Sequence, residues 1–324
     1  MTASNEPAPR VAVIMTCYNE GPYIGDAVRS VLDQSRADLI DRIVIADDGS
    51  APETVAVLRE IETWDDRIAI IYGPGGVGLP GQRRLAIDRT DAPFLAILDG
   101  DDLWSADKLE REMPLFADPA IGMVYSDYFT FADGAIDSAR RAGVIDITAA
   151  PDLIRQYFLN DPPIIPSTTV IRRTAYDACG GFDAAVRIFE DTDFYLRIAR
   201  VTRFALVDAP LLYKRNRNTS ITGGRKDLMA HHAFVALKAA AETPALLTLV
   251  PQRLSERARK LGNHRFLMND IDGALGLLSF AVRTHPLNRR AWTSLIAVRF
   301  FPRLALKMLG SRGRERQMAM GVAS

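Results

Sequence analysis

Residues 94–104 read FLAILDGDDLW, an apolar run that ends abruptly in three carboxylates. Five consecutive apolar residues before a polar turn are typical of a strand that is buried on both faces of a sheet. Two earlier apolar runs also end in polar groups, VAVIMTCYNE at residues 11–20 and IVIADDGS at residues 43–50. Helical spacing separates the runs, at residues 22–34 and 54–62. Strands that alternate with helices predict an α/β fold with a mostly parallel, Rossmann-like sheet flanked by helices.

The rest of the chain divides near residue 225. Further strands are predicted at residues 167–172, 204–207 and 211–214, with a helix within residues 188–200. After Gly224 the apolar spacing is almost continuously helical. The sequence therefore predicts three parts: a disordered tail over residues 1–9, an α/β domain over residues 10–224 and an all-helical extension over residues 225–324.

The composition excludes several classes of protein. Forty Lys and Arg residues balance forty Asp and Glu residues, and a net charge of zero excludes a uniformly basic nucleic-acid-binding protein. Two cysteines cannot build a disulfide framework or a cysteine-rich zinc site, and they fit a reducing compartment. We find no secretory signal in the polar N-terminal residues and no apolar run long enough to span a membrane. We therefore expect a cytoplasmic protein with no nucleic-acid partner.

Three carboxylates stand close together at the end of the 94–104 run. Asp99, Asp101 and Asp102 repel one another unless a cation or solvent offsets their charge. Mg²⁺ and Mn²⁺ take oxygen ligands and often bridge to substrate phosphates. Because alternate residues of a strand point the same way, Asp99 and Asp101 can share one side of the backbone. Capping of the next helix, predicted around residues 107–116, would explain one or two of these acids, so the full cluster favours a metal–diphosphate site.

The other two strand ends carry weaker signals. Asp48 lies in the motif DDGS, which is as typical of a turn and helix cap as of a binding site. Thr16, Tyr18 and Glu20 follow the first strand. Their hydroxyl, aromatic and carboxylate groups can stack on and hydrogen-bond a flat heterocycle, although such residues are equally common in loops.

A glycine-rich segment, GPGGVG at residues 73–78, has the G-x-G-x-x-G spacing of dinucleotide-binding loops. In those folds the motif follows the first strand, whereas two strand–helix units precede it here. Pro80 and Gly81 should also delay the helix that would otherwise begin at the third glycine. We therefore interpret the glycines as a loop that covers the site, and we predict the next helix at residues 82–88.

A second acidic group, at Glu190, Asp191 and Asp193, opens the helix predicted within residues 188–200. Acids near a helix start commonly complement the helix dipole. A carboxylate in that position can also accept a proton from a substrate hydroxyl. All four histidines lie in the C-terminal region, which argues against histidine-based catalysis or a histidine-rich metal centre. They are His231, His232, His264 and His285.

Six motifs in order resemble those of the family 2 inverting glycosyltransferases. In chain order they are VAVIMTCYNEGPYIGDAVRSVLDQS, IVIADDGS, GLPGQRRLAID, FLAILDGDDLWSADKLE, GGFD and FEDTDFYLRIAR. The resemblance covers residues 9–222 and implies an A-type glycosyltransferase fold, in which a nucleotide-binding parallel sheet is joined to an acceptor-binding half. Residues 10–224 would then be the catalytic domain.

The resemblance also implies roles for individual residues. Asp191 would be the catalytic base, with Glu190 beside it orienting the acceptor or the loop. Asp101 would bind Mg²⁺ or Mn²⁺, and Asp99 would contact the ribose or the metal. The remaining donor contacts would come from Thr16, Tyr18 and Glu20 at the nucleobase and ribose, Asp48 at the base, and Arg83 near the nucleotide.

The implied activity is transfer of a sugar, with inversion, from a nucleotide-sugar to a hydroxyl of a glycan or lipid-linked acceptor. A UDP-sugar is the expected donor, and surface polysaccharide or glycolipid synthesis in the cell envelope is the expected role. Three positions depart from the family pattern: Arg84 replaces an asparagine, Ala106 a proline, and Asn216 a histidine that in many members assists the metal or diphosphate. A nucleotidyltransferase or phosphohydrolase acting on sugar phosphates, and a non-catalytic glycan-assembly scaffold, remain alternatives.

The helical extension resembles a single tetratricopeptide unit, although an ordinary helical hairpin fits equally well. The matching positions are Leu261, Gly262, Ala274, Leu278, Ala281, Pro286 and Trp292. A lone unit of this kind must pack on the catalytic domain or on a partner.

The end of the chain is strongly basic. Residues 283–324 hold nine Lys or Arg residues and one acid, a net charge of +8. Arg299, Arg303 and Lys307 recur every four residues among large apolar side chains and would share one helix face if Pro302 only kinks the helix. Such a face suits an anionic membrane surface, so we predict peripheral contact with the inner face of the cell membrane through residues 291–316. A core helix with solvated arginines is the alternative.

Overall fold

A computed structural model describes residues 10–148, 150, 152–160, 162–217 and 228–309 of the chain. The chain forms two compact units, the first from the described parts of residues 1–151 and 162–215 and the second from those of residues 152–161 and 216–324. The predicted tail over residues 1–9 and the predicted boundary near residue 225 lie outside the described residues. The exact extent of the predicted domains therefore stays a prediction.

Nine strands occur in the described parts of the chain. They are β1 (Val11–Cys17), β2 (Ile40–Asp47), β3 (Ile68–Tyr72), β4 (Phe94–Asp99), β5 (Leu103–Trp104), β6 (Ile121–Ala132), β7 (Arg140–Arg141), β8 (Thr169–Arg172) and β9 (Arg203–Asn216). The first unit also contains helices α1 (Gly21–Leu32), α2 (Pro52–Ile61), α3 (Gly78–Ile87), α4 (Lys108–Glu112), α6 (Arg173–Ala178) and α7 (Glu190–Ile198). The second unit contains α5 (Leu153–Asn160), α8 (Leu228–Glu242), α9 (Val250–Leu267), α10 (Ile271–Thr284) and α11 (Arg289–Phe300).

One sheet runs through the first unit, in the order β3-β2-β1-β4-β8-β6-β9-β5, with β7 paired to β6. The first four strands are parallel, as the alternation of strands and helices predicts. The strand β8 then pairs antiparallel with both β4 and β6. The sheet is therefore mixed, and its parallel half brings the carboxyl ends of β1, β2 and β4 to one edge.

The core of the parallel half follows the apolar runs closely. All seven residues of β1 are buried, as are the apolar residues of β4. The helix α1 packs against the sheet with Ile24, Ala27, Val28 and Val31, which are the helically spaced residues of the sequence. Burying each of the valine and isoleucine side chains contributes ~1.5–3 kcal/mol, so these contacts fix the strands whose ends carry the acids.

Several details of the first unit differ from the sequence predictions. The twelve-residue strand β6 was not predicted, and the two predicted closing strands form one continuous strand, β9, that includes Pro210. The helix α3 begins at Gly78, the third glycine of the glycine-rich segment, rather than at residue 82. Pro80 therefore lies in the first turn of α3, where a missing N–H group breaks no helical hydrogen bond. The position of this segment after the third strand still separates it from a dinucleotide-binding motif.

Apart from Asn216 at the end of β9, the regular elements in the described residues of the second unit are all helices. Gly262 of α9 lies against α10, since a Cβ built on it would be 2.9 Å from Leu278 Cγ. Ala274 and Leu278 are fully buried in the same cluster, together with Phe266 and Val298. These contacts are common to a tetratricopeptide unit and an ordinary helical hairpin, so the choice between them stays a prediction.

The basic segment folds differently from the predicted kinked helix. The helix α11 ends at Phe300, and a separate helix occupies residues 302–309. Pro302 opens that second helix, a position for which its fixed φ angle is suited. Within the described residues, none of the helices has the length and apolar content needed to cross a membrane. Residues 310–316 of the predicted membrane-contact segment lie outside the described residues.

Candidate active site

The polar strand ends predicted from the sequence meet at one edge of the sheet. The register pairs Thr16 with Asp99 across β1 and β4, and Cys17 with Asp47 across β1 and β2. Thr16 Oγ1 also donates to Asp99 Oδ1 at 3.4 Å. Parallel α/β sheets bind their ligands beyond the carboxyl ends of the strands. The structure therefore brings the three clusters together as one candidate site.

The turn after β4 is held by a serine that the sequence did not identify. Ser167 Oγ accepts a hydrogen bond from the Asp99 N–H group at 3.1 Å and donates to Asp102 Oδ2 at 2.7 Å. Asp102 is buried, and this burial raises its pKa to about 7. Asp99 and Asp101 remain partly exposed. The three acids thus divide into one buried support and two carboxylates at the site.

The acids of this turn do not cap the following helix. The helix α4 begins only at Lys108, and the N–H group of Leu109 donates to Gln34 Oε1 at 3.1 Å. The capping explanation for Asp99, Asp101 and Asp102 therefore finds no support in the structure. A ligand role for the two partly exposed acids stays a prediction.

A buried arginine joins two acids of the site. Arg83 is 1% exposed, and its guanidinium donates to Asp99 Oδ1 at 2.9 Å and to Glu190 Oε1 at 2.8 Å. Its Cζ atom lies 5.2 Å from the centroid of the Phe182 ring. Burial alone would lower the pKa of Arg83, but the charges of Asp99 and Glu190 outweigh it and raise the pKa above its ordinary value. Arg83 thus connects the end of β4 to the start of α7, and its contact with a nucleotide stays a prediction.

The predicted base lies in the first turn of α7. Phe189, immediately before the helix, has a left-handed backbone with φ +62°. Such a conformation costs a non-glycine residue about 1–3 kcal/mol and is often found at functional sites. Burial, with the nearby charge of Glu190, raises the pKa of Asp191 to about 7. A carboxylate with a pKa close to neutral is suited to general base catalysis.

The carboxylate of Asp48 contacts the glycine-rich segment. Its two oxygens accept hydrogen bonds from the N–H groups of Val77 and Gly78, both at 2.9 Å. The neighbouring Asp47 accepts from the N–H groups of its own turn, at residues 49 and 50. The turn interpretation left open by the sequence thus describes Asp47, whereas Asp48 contacts the N-terminal end of α3. Each carboxylate oxygen retains a second lone pair, so Asp48 can still accept a hydrogen bond from a nucleobase. That contact stays a prediction.

The turn after β1 is fixed by Asn19. Its Oδ1 accepts from the N–H group of Ala51, and its own N–H group donates to Ser50 Oγ, both at 2.8 Å. The backbone carbonyl of Glu20 starts α1 by accepting from residues 23 and 24. The side chain of Tyr18 is 59% exposed, so its ring is accessible for stacking on a ligand.

Oxygen ligands for a divalent cation are present, but they are few. Across the part of the chain that the structure describes, no three His, Cys, Asp or Glu side chains are grouped so that they could hold a metal alone. Asp99 and Asp101 offer carboxylate oxygens, although Asp99 Oδ1 already accepts from Arg83 and Thr16. Mg²⁺ and Mn²⁺ are commonly held by one or two carboxylates together with substrate phosphates. The residues therefore fit a cation that the substrate helps to bind.

Two curated relatives match part of this sequence. TuaG of Bacillus subtilis (strain 168), a glycosyltransferase named for teichuronic acid biosynthesis, is 35% identical over 124 residues, which cover 38% of this chain and 48% of TuaG. WfgD of Escherichia coli, named as a UDP-Glc:α-D-GlcNAc-diphosphoundecaprenol β-1,3-glucosyltransferase, is 31% identical over 118 residues, covering 36% and 45%. The match thus spans less than half the length of each relative.

Two solved structures share the fold. Residues 1–349 of Staphylococcus aureus TarS in complex with UDP-GlcNAc align with a TM-score of 0.60 and 15% identity, covering 95% of this chain and 92% of that one. The mannosyltransferase PcManGT from Pyrobaculum calidifontis, in complex with GDP-Man and Mn²⁺, aligns with a TM-score of 0.56 and 17% identity, covering 94% and 85%. These likenesses confirm the predicted A-type glycosyltransferase fold.

The family assignment rests on a longer match. The model for glycosyl transferase family 2 covers residues 12–180, more than half of the chain. That range contains the strand-end clusters and the turn of Asp99 and Asp101, which the structure brings together at one edge of the sheet. This chain therefore belongs to glycosyl transferase family 2.

Proposed function

We propose that this enzyme is a metal-assisted, inverting hexosyltransferase that moves a sugar from a UDP-sugar to a hydroxyl of a glycan or lipid-linked acceptor. The observation that carries the proposal is the position of Asp191. It lies in the first turn of α7 with a pKa raised to about 7, and its neighbour Glu190 is tied through Arg83 to Asp99. A base near neutral pKa is thereby linked to the donor side of the site.

The proposed reaction needs one base and no covalent intermediate. An Asp191 carboxylate oxygen accepts the proton of the acceptor hydroxyl, and the hydroxyl oxygen forms a bond to the anomeric carbon of the sugar. The bond from that carbon to the diphosphate breaks on the opposite face, so the configuration inverts and the nucleoside diphosphate leaves. A divalent cation, when bound, supplies positive charge that stabilises the leaving diphosphate.

The other predicted residues divide between support and donor binding. Glu190 is held by Arg83 at 2.8 Å, so its role in the proposal is to orient the acceptor-side loop beside the base. Asp101 is the proposed metal ligand, and Asp99 contacts the ribose or the metal. The nucleoside is assigned to residues at the ends of β1 and β2, namely Thr16, Tyr18, Glu20 and Asp48.

Relatives and structural neighbours support this choice of substrates. WfgD is named for a UDP-glucose donor and a diphosphoundecaprenol-linked acceptor, and the TarS structure contains UDP-GlcNAc. TuaG is named for teichuronic acid biosynthesis. The PcManGT structure, however, contains GDP-Man and Mn²⁺, so the base and sugar of the donor need direct measurement.

Donor profiling tests the proposal. The purified protein is incubated with UDP-glucose, UDP-GlcNAc, UDP-galactose and GDP-mannose, each with Mn²⁺, with Mg²⁺ and with EDTA, and donor binding and hydrolysis are measured. We expect one UDP-sugar to bind and to be hydrolysed slowly in a metal-dependent way. No response to any donor would overturn the proposal, and pyrophosphate release from a nucleoside triphosphate would instead indicate a nucleotidyltransferase. Tight donor binding with no turnover on any acceptor would indicate a scaffold.

The base assignment is tested by Asp191→Asn, with Asp177→Asn as a matched control. Asp177 is an exposed acid on α6 and has no proposed role. Removing the base should abolish transfer while the donor affinity stays nearly unchanged, because Asp191 is assigned to the acceptor proton. The control should keep both properties. Transfer by Asp191→Asn at the wild-type rate would show that another group accepts the proton.

We further propose that the enzyme is a peripheral protein at the inner face of the cell membrane. Within the second unit, every residue from 299 to 304 is exposed, including Phe300, Phe301 and Leu304. The nearby basic side chains are exposed as well, namely Arg299, Arg303 and Lys307. Residues 289–309 contain no acid. Exposed aromatic and aliphatic side chains between basic residues favour binding to an anionic lipid surface.

Vesicle binding tests this membrane contact. The protein should sediment with vesicles that contain phosphatidylglycerol, and much less with pure phosphatidylcholine, with a strong dependence on salt. Each basic residue near such a surface contributes ~1 kcal/mol, so Arg299→Gln with Arg303→Gln should weaken binding by roughly 30-fold. Arg36→Gln, an exposed arginine of the first unit, is the control and should bind as the wild type does. Equal binding to both kinds of vesicle would contradict the proposal.

A further inference from the structure

Arg215, near the end of β9, contacts the turn that carries the proposed metal ligand. Its backbone N–H group donates to Asp102 Oδ1 at 3.1 Å. Its side-chain Nε donates to the backbone carbonyl of Asp101, also at 3.1 Å. Arg215 thus holds both the main chain of Asp101 and the carboxylate of Asp102, which supports the turn.

The outer end of the same side chain is also fixed. Arg215 Nη1 donates to Asp133 Oδ1 at 2.7 Å, and Tyr23 Oη donates to the other oxygen of that carboxylate at 2.7 Å. The Cζ atom lies 4.7 Å from the ring centroid of Tyr23 and 4.8 Å from that of Phe131. The side chain of Arg215 is 9% exposed. Elements from α1, the end of β6 and β9 therefore converge on one guanidinium.

These contacts restrict the arginine more than an ordinary surface ion pair would. A planar guanidinium that donates in fixed directions and lies against aromatic rings is limited to few rotamers, and a lysine cannot reproduce the arrangement. Polar groups that orient a metal ligand matter almost as much as the ligand itself, and their loss typically weakens metal binding by about 10–100-fold. The Asp101 carbonyl has its hydrogen bond from such a group.

We propose that Arg215 is a positioning residue that fixes the main chain of Asp101, so that the carboxylate of Asp101 meets the cation and the diphosphate together. This inference rests on the proposed metal-assisted function. It assigns to the end of β9 an indirect role, through the backbone of the turn that carries Asp99 and Asp101, in a chain that has Asn216 where many family members have a histidine. Asp133 and Tyr23 hold the arginine and are part of the same device.

The experiment measures nucleotide binding by calorimetry, separately in Mn²⁺ and in EDTA, using UDP and GDP as probes. The variants are Arg215→Met, Arg215→Lys and Asp133→Asn, and Arg203→Met is the control. Arg203 lies at the other end of β9, where its side chain is exposed and pairs with Asp118. Melting temperatures are recorded for every variant, so that a folding defect is recognised.

For the nucleotide that the wild type binds, Arg215→Met should weaken binding in Mn²⁺ by about tenfold or more, and binding in EDTA by less than about twofold. Arg215→Lys should not restore the Mn²⁺-dependent affinity, and Asp133→Asn should lose part of it. Arg203→Met should match the wild type in both conditions. If Arg215→Met does not fold, the exposed Asp133→Asn variant carries the test.

Two results would overturn the inference, and only the second would also overturn the proposed metal-assisted function. If the wild type binds more tightly in Mn²⁺ than in EDTA and both Arg215→Met and Asp133→Asn keep that ratio, Arg215 does not position Asp101, while the proposed function stands. If the wild type binds equally in Mn²⁺ and EDTA, the metal-assisted function and the inference fail together.

Discussion

Replacing Arg83 by methionine tests the cross-link between the donor side and the base helix. The substitution keeps a long, unbranched side chain but removes the guanidinium N–H groups that donate hydrogen bonds to Asp99 Oδ1 and Glu190 Oε1. Because Arg83 is buried, the largely buried Glu190 would lose this partner, while the partly exposed Asp99 would lose it but keep its contact with Thr16. Breaking a buried ion pair by removing one member typically costs about 3–5 kcal/mol.

That free energy is large enough to appear in a melting experiment. In a domain of 150–250 residues, each kcal/mol lowers the melting temperature by ~2–4 °C. Arg83→Met should therefore melt on the order of 10 °C below the wild type. Circular dichroism provides the measurement, and Arg36→Met is the control, since Arg36 and Asp38 form an exposed pair that should not affect melting.

The mechanism also predicts a partial recovery. Adding Glu190→Gln to Arg83→Met removes one of the two unpaired charges, so the double variant should be more stable than Arg83→Met alone. The reasoning would be refuted if Arg83→Met melted within about 2 °C of the wild type, because one kcal/mol or less would then separate the two proteins.

Three other predictions follow from single features of the structure. Because the pKa of Asp191 is raised to about 7, transfer at saturating donor should increase roughly tenfold between pH 6 and pH 8 as the carboxylate loses its proton, and a rate that is flat above pH 5 would contradict this. Gly49→Ala should reduce both stability and donor affinity, because a Cβ there would lie 2.8 Å from the backbone of the glycine-rich segment. Gly134 has a similar positive φ but open surroundings. Gly134→Ala should therefore lower the free energy of unfolding, measured in urea, by only ~1–2 kcal/mol. Gly262→Ala should lower the free energy of unfolding of the second unit by ~1–3 kcal/mol, because its Cβ would overlap a leucine of α10, whereas Gly276→Ala meets nothing within 4 Å and should raise it by ~0.5–1 kcal/mol.

The parallel half of the sheet could be predicted because its strands are buried on both faces. Burial of both faces makes the sequences of β1, β2 and β4 nearly continuous apolar runs. Such runs can be recognised without knowing which strands they pair with. The strand β6 gave no such run, because buried polar residues such as Ser126 and Asp127 interrupt it. Its position depends on pairing with β8, a contact that no local pattern encodes.

The same limit applies to the site. Asp99, Asp101 and Asp191 were identified because an acidic group directly after a strand or at a helix start is a local signal. The residues that hold them are distant in sequence. Ser167 contacts a carboxylate 65 residues earlier, and Arg215 contacts one 113 residues earlier. Neither residue type has a spacing that distinguishes it from ordinary serines and arginines, so only the fold identifies them.

The contacts around Asp99 imply that the site will not respond additively to mutation. Asp99 accepts from Thr16 of β1 and from Arg83 of α3, and Arg83 in turn holds Glu190 beside the proposed base. A change at any of these positions alters the charge that the others experience, since residues within one hydrogen-bonded network couple by about 0.5–3 kcal/mol. The effect of Asp99→Asn on transfer therefore cannot be interpreted as the loss of a single contact with the nucleotide-sugar. Because Arg83 pairs with both acids, part of that effect acts through the start of α7, and a double-mutant cycle of Asp99→Asn with Glu190→Gln should show a coupling energy well above zero.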